Sequence, residues 1–479
     1  MIYPELLKKV VLSCIVFSCV PALLPAAGTE PTMKISISST LPAMEGAERA
    51  VLFNARSSEG EQDTIFTVVV EKKPIPRKEF ILVEPPTVVW KSNGVWHESE
   101  VLDEKGRVDP FKRRISLKQK SDWGKEDRLS ATVHYYEVRE HPLPTNPDGS
   151  PADNGPYWLA SDTDSLIAVA PEVEIESITF NHIPGNSDSD GIDLRSDYKG
   201  NDIVGPEWTP AGTQAVAYRA GVRPTVKVNF KLLPERLTRV KAKATETGLG
   251  LTWGIAEAWT DSGNGQFSGV TSVSSEVNKG NVTWSWSATG FNGVPVSGWN
   301  NFRKTEFPVY KILDKPQLPW QEGAGTQKPW IKALDQVISD WRCAGAIGPK
   351  EVIARLTKAL YEKPYDPNIH CLDRKGIFSF SAFSGDESVN CMDSACGLTS
   401  ACAVVGVKPL PIQHTDVGLN LPNGYRWDYH CYTIFDGHVY DSCQIVTPLH
   451  CGTPSLLYRK ALNESENSKM HVILIKSLQ

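Results

Sequence analysis

The sequence predicts a multidomain chain, with N-terminal β-sandwich (Ig-like) modules followed by an α+β domain. Three observations carry this. Apolar residues alternate with polar ones in many short runs between residues 33 and 315. Helical spacing begins only after Pro316, and β-rich runs follow it. Outside the first residues, every cysteine lies in the last third: Cys343, Cys371, Cys391, Cys396, Cys402, Cys431, Cys443 and Cys451. A length of 479 residues exceeds one compact domain.

Residues 1–27 read as a signal peptide. Lys8 and Lys9 precede the apolar run VVLSCIVFSCVPALLPAA, which ends in small residues, and cleavage is expected near Ala27. The run contains Pro21 and Pro25 and is short for a membrane span. No later stretch is apolar enough to span a bilayer, so the expectation is export to the periplasm, the cell surface or the medium. A net charge of −6, with no basic run, gives no reason to expect nucleic acid as a partner.

The β-region is expected to divide into domains at 33–170 and 171–315. Leu129, Ala131, Val133 and Tyr135 alternate with polar residues, as do Val226, Val228 and Phe230, and then Val282, Trp284 and Trp286. Period two marks half-buried antiparallel strands. The tryptophans of this region (Trp253, Trp259, Trp284, Trp286 and Trp299) suit a sandwich core, and less commonly a glycan or cell-surface partner. Asn186, Asp188, Asp190, Gly191 and Asp197 approach the ligand positions of a calcium loop. The first is Asn, the last is Asp rather than Glu, and no helix flanks them, so an acidic turn is the commoner explanation. No metal site is assigned.

A last domain is expected over 320–479. Trp330, Leu334, Val337, Ile338 and Trp341 follow Pro329 at helical spacing, and Gly345 ends that pattern. Pro349 opens a second helix with Val352, Ile353, Leu356, Ala359 and Leu360. A third starts near Asn390, with Cys391, Ala395, Leu398, Cys402 and Val405 on one stripe and Gly406 as its stop. Strands are expected in WDYHCYTIF, HVYDSCQIV and HVILIKSL.

Cys391 thus falls in a first helical turn, where exposed N–H groups and the helix dipole favour a thiolate. A small core residue and a nucleophile are both consistent with that position. Cys402 lies deeper on the stripe and reads as core, whereas Cys396 is off it and is a candidate disulfide partner. The spacing of these cysteines is not C-x-x-C and suits structural zinc poorly.

Asp436-Gly437 predicts a two-residue hairpin. Counting outward, Phe435 opposes His438, Ile434 opposes Val439, Tyr432 opposes Asp441 and His430 opposes Cys443. His430 and Asp441 then share a face as diagonal neighbours, roughly 7–8 Å apart in the backbone. His438 falls on the other face.

VNCMDSACGLTSACAVVGV followed by YHCYTIFDGHVYDSC resembles the core of the transglutaminase-like superfamily, whose chemistry is papain-like. The resemblance covers about residues 320–479. It implies Cys391 as nucleophile, His430 as general base and acid, and Asp441 as the orienting carboxylate. Asp393 matches the acidic residue two positions after the cysteine, and Tyr432 stands where family members often carry tryptophan. The implied activity is thiol acyl transfer on a protein or peptide amide, resolved by an amine or by water, with no cofactor. A second donor beside the Cys391 N–H would complete an oxyanion hole, and Trp320 and Asn390 are the candidates. The competing expectation is a catalytically inactive cell-surface scaffold or adhesion protein.

Overall fold

The computed structural model describes residues 33–479 apart from positions 47, 54–61, 98, 100, 118–121, 142–144, 151, 181–190, 204, 247–253, 264, 321–327, 386–387, 421–425, 445–448 and 463. The expected leader, Trp253, and positions 186, 188 and 190 of the acidic loop lie outside the described residues.

The chain is mostly β-structure in several sheets. Between residues 34 and 170, a three-stranded sheet (Lys34–Ser38, Gln62–Lys72 and Lys112–Leu117) accompanies a seven-stranded one. The latter is built around the antiparallel pair Lys125–Arg139 and Tyr157–Ala170. Between 172 and 312 a five-stranded and a six-stranded sheet follow. The longest pair there is Asn278–Phe291 with Val294–Ile312, joined through Asn292 and Gly293. Both turn residues have positive φ, 45° and 87°, which matches the right-handed twist of the strands they join.

Alternation fixes which side chains face inward. Leu129, Ala131, Val133 and Tyr135 are all buried, and the polar residues between them are more exposed. Trp284, Trp286 and Trp299 are buried as well, so they are core rather than a glycan platform. Trp284 meets Trp286 edge-on at 5.8 Å and Phe307 at 4.7 Å. Such pairs add about 0.5–1.5 kcal/mol beyond the area they bury.

Helices dominate the chain from 331 to 404. Helix α1 (Ile331–Asp335) runs into a turn of π-helix over Gln336–Asp340. Helix α2 (Pro349–Tyr361) begins with proline at its first position, after Gly348 at φ 87°. Helix α3 (Phe380–Gly385) is short, and α4 (Cys391–Val404) starts and stops where its caps predict. Gly406 has φ +91°, and a Cβ there would overlap the backbone of Asp314. That close approach lets residues 313–320 zip onto the end of α4: Leu313 N–H to Val405 O (3.0 Å), Gln317 N–H to Ala403 O (2.9 Å) and the Trp320 indole to Ser400 O (2.7 Å).

An antiparallel five-stranded sheet follows, ordered His450–Pro454, His438–Asp441, Arg426–Phe435, Leu410–Asn420 and Glu464–Val472. Helix α5 (Ser455–Ala461) connects two of its strands. Three details differ from the sequence reading. The Leu410–Asn420 strand was not expected. The strand expected over HVYDSCQIV ends at Asp441. In place of one strand over HVILIKSL there are Glu464–Val472 and a short Ser477–Leu478 segment.

Helix α4 is buried nearly all round, not along one stripe. It lies between α1, α2 and α3 on one side and the sheet on the other, so every face meets protein. Among the described residues no helix is long and apolar enough to cross a membrane.

Candidate active site

Asn390 caps α4. Its side-chain oxygen accepts from the Asp393 N–H at 2.7 Å, satisfying one of the donors that a helix start leaves without partners. Its amide nitrogen donates to Ile369 O and lies 3.0 Å from His370 Nδ1. Asn390 therefore ties α4 to the 369–370 segment and fixes where Cys391, the first helical residue, sits.

Asp393 points away from solvent. Its Oδ1 accepts from the N–H groups of Cys371 (2.9 Å) and Leu372 (3.3 Å), while its Oδ2 is buried without a partner. A carboxylate in a first helical turn is ordinarily stabilised. Here burial dominates and pushes the carboxyl pKa up to about 6.

His430 lies on the central strand, Arg426–Phe435. The hairpin that positions it has the expected register, with Phe435 opposite His438, Ile434 opposite Val439 and Thr433 opposite Tyr440. Asp436 and Gly437 take φ values of 49° and 72°, the geometry this two-residue turn requires. His430 Nε2 lies 2.8 Å from Asp441 Oδ2, and the two residues are 0% and 1% exposed. Asp441 accepts two more hydrogen bonds, from the Tyr458 hydroxyl at Oδ2 and from the Cys443 N–H at Oδ1 (2.9 Å). His438 is turned elsewhere, with its Nδ1 2.7 Å from Asp436 O.

The remaining ring nitrogen, His430 Nδ1, is buried with no hydrogen-bond partner of good geometry. Cys391 is the thiol whose charge acts on this ring. The Cys391 pKa is lowered to about 5 by a hydrogen bond from the Cys431 side chain, then by His430, against the opposing effect of burial. For His430, burial disfavours the charged ring. Asp441, and after it Cys391, outweigh that and raise its pKa to about 10. Opposite shifts of this kind favour a thiolate beside an imidazolium. Such a pair can attack an electrophilic carbon and then deliver a proton to the departing group.

Cys391, Ala395, Cys431 and Cys443 form one buried cluster, against which Tyr365, Met392, Trp427 and Ile473 pack. Cys391 itself is 2% exposed. The Tyr365 and Trp427 rings lie 5.3 Å apart, and Trp427 and Tyr429 5.9 Å apart. A cavity of about 320 Å³ beside Tyr198, Trp330 and Ser379 lies away from this cluster.

None of the described cysteines forms a disulfide, and Cys396 is fully buried in α4. The disulfide expected at Cys396 is not formed; the residue packs instead as a small apolar member of the core. Trp320 and Asn390, the expected oxyanion donors, have their donors occupied, by Ser400 O and by the 369–370 segment respectively. Among the described residues no group of three or more His, Cys, Asp or Glu side chains could hold a metal ion. Of the acidic loop, Gly191 opens a short strand, and Asp197 Oδ1 accepts from the Lys199 N–H at 2.9 Å.

No protein-family model matches the chain, and no curated protein matches it in sequence. The functional reading therefore rests on the residues themselves.

The site also holds residues that sequence reasoning did not single out. Tyr458 reaches Asp441 from α5. Cys431 is the main influence on Cys391. His414 is buried on the neighbouring strand opposite His430, 3.1 Å from the Tyr432 hydroxyl and 3.0 Å from Ser468 Oγ. For Cys431 and Tyr458 the sequence carried no positional signal beyond residue type.

Proposed function

We propose that this chain is an exported thiol acyltransferase, with a transglutaminase-like domain over 320–479 behind Ig-like β-sandwich modules. In this reading the Cys391 thiolate attacks the carbonyl carbon of a carboxamide or peptide bond. The C–N bond breaks, His430 gives its proton to the leaving nitrogen, and a thioester remains on Cys391. An amine or a water then attacks the thioester, giving up its proton to His430, and the thiolate is restored. Asp441 keeps His430 oriented and stabilises its charged form.

The observation that carries the proposal is the two-sided placement of His430. One nitrogen is held by a carboxylate with three donors, and the other is buried on a ring that interacts with the Cys391 thiol.

The test is acylation of the full chain by p-nitrophenyl acetate, with the acyl group located by peptide mass spectrometry. Acetyl on Cys391, lost in Cys391→Ala and slowed in His430→Ala, is the expected result. Acylation that survives Cys391→Ala overturns the assignment.

One observation favours a second reading, an inactive scaffold. Cys391 is 2% exposed, so protein covers the thiol. That reading expects Cys391 to resist both acylation and alkylation until the chain unfolds.

A further inference from the structure

The hydroxyl of Tyr365 is buried and has no hydrogen-bond partner. An unpaired buried hydroxyl is costly and calls for an explanation. Its surroundings supply one. The Tyr365 ring packs against the cluster of Cys391, Cys431 and Cys443. Its backbone is fixed to the approach of α4: Asp366 N–H donates to Val389 O (3.1 Å), Val389 N–H donates to Pro364 O (2.9 Å), and Tyr365 forms a parallel bridge with Val389. Val389 stands two residues before Cys391, so Tyr365 is tied to the helix start that carries the thiol.

We propose that Tyr365 is a catalytic residue, donating its hydroxyl hydrogen to the oxyanion that forms when Cys391 adds to a carbonyl. This rests on the acyl-transfer reading above. As the sulfur–carbon bond forms, the carbonyl π pair moves to oxygen, and that oxygen gains a hydrogen bond from Tyr365. The N–H of Cys391, which a first helical residue leaves without an intrahelical acceptor, is the second donor. No proton changes hands with Tyr365. When the oxyanion collapses, the pair returns to the carbonyl, the C–N bond breaks, and the leaving nitrogen takes its proton from His430.

Other groups near the site are not free for this role. Trp320 and Asn390 are engaged, as described. The Tyr458 hydroxyl is spent on Asp441, and the Tyr432 hydroxyl on His414. Burial raises the Tyr365 pKa, and the neighbouring Cys391 raises it further, so the hydroxyl keeps its hydrogen wherever the thiolate is present.

Two reactions at the same sulfur separate this role from an effect on the thiol. Acylation by p-nitrophenyl acetate builds an oxyanion, whereas alkylation by iodoacetamide displaces iodide and builds none. In full-length Tyr365→Phe, acylation of Cys391 is expected to fall roughly 10²–10³-fold. Alkylation of Cys391, and the pH of its midpoint, are expected to stay within about twofold and a few tenths of a pH unit, as a hydroxyl aimed at the oxyanion rather than the sulfur predicts. Because no hydrogen bond is lost, Tyr365→Phe is expected to melt no lower than the parent. Unchanged acylation overturns the role of Tyr365 alone, as does a parallel fall in both reactions or a clearly lower melting temperature. A parent chain that alkylates at Cys391 but takes no acyl group overturns the acyl-transfer reading and this inference with it.

Discussion

Asp441 receives His430 Nε2 at 2.8 Å while its other contacts, Tyr458 and the Cys443 N–H, leave the carboxylate no freedom to turn. The ring is held on a central strand and the carboxylate at the end of its hairpin partner, so a two-residue turn sets the relation between them. The consequence is an imidazole that prefers its charged form despite complete burial.

The pH dependence of stability follows from two opposed shifts. His430 binds its proton more tightly folded than unfolded, with its pKa raised from 6.5 to about 10. That contribution is complete below about pH 6.5 and is lost as pH rises toward 10. Cys391 is lowered from 9.0 to about 5, so its contribution is complete above pH 9 and is lost as pH falls toward 5. Between about 6.5 and 9 the slopes oppose each other, and the pair contributes a plateau. Cys391→Ser removes one slope. Its melting temperature relative to the parent is expected to decline as pH rises from about 5 to 9, the window over which the parent gains the Cys391 contribution. A pH series of thermal melts on both chains checks this, and a Cys391→Ser curve parallel to that of the parent refutes it.

The reactivity of Cys391 should depend on its neighbours in a definite order. Iodoacetamide alkylation, followed at the Cys391 peptide, is expected to rise with a midpoint near pH 5. Cys431→Ala should move that midpoint up the most, because the Cys431 side chain is the first cause of the low value, and His430→Ala should move it less. Equal midpoints in the parent and Cys431→Ala would falsify the order.

Tyr458→Phe removes a donor from a buried carboxylate and leaves the ring contacts with Tyr432 and His450, both at 4.9 Å, in place. A hydrogen bond to a charged group contributes about 1.5–3 kcal/mol, so a loss of that size is expected in urea unfolding. Asp441, less firmly held, should also orient His430 less well, and the alkylation midpoint of Cys391 should rise. A variant as stable as the parent would mean that Asp441 does not rely on this bond.

Local patterns made part of this site legible. Asp436-Gly437 announced a turn, and counting outward from it put His430 and Asp441 on one face. Asn390 and Gly406 marked the ends of α4, and with them the place of Cys391. What stayed hidden depends on contacts between distant segments. Tyr365 meets the site through a backbone bridge to Val389, and Tyr458 through a helix between two strands, and no periodicity encodes either. The Leu410–Asn420 strand escaped because residues such as Gln413, Thr415 and Asp416 interrupt its apolar run. The stripe on α4 misled about Cys396, since a helix covered on both faces buries residues that a one-sided pattern leaves out.

Gly397 tests how closely α4 is packed. A methyl group there would overlap the Phe383 ring. That ring is itself buried, with Trp341 at 5.8 Å and Phe378 at 5.5 Å, so it has little room to swing aside. Glycine to alanine inside a helix ordinarily gains about 1 kcal/mol in propensity. Forcing an extra methyl into a filled core typically costs about 1–3 kcal/mol, and overlap with a confined ring belongs at the upper end. Gly397→Ala is therefore expected to be net destabilising by about 1–2 kcal/mol in urea unfolding, with the propensity gain only partly offsetting the overlap. Adding Phe383→Leu, which clears the space, should recover part of that loss, giving a coupling above about 0.5 kcal/mol in the double-mutant cycle. Strictly additive effects would mean that the ring yields without cost and that α4 is seated more loosely than its contacts imply.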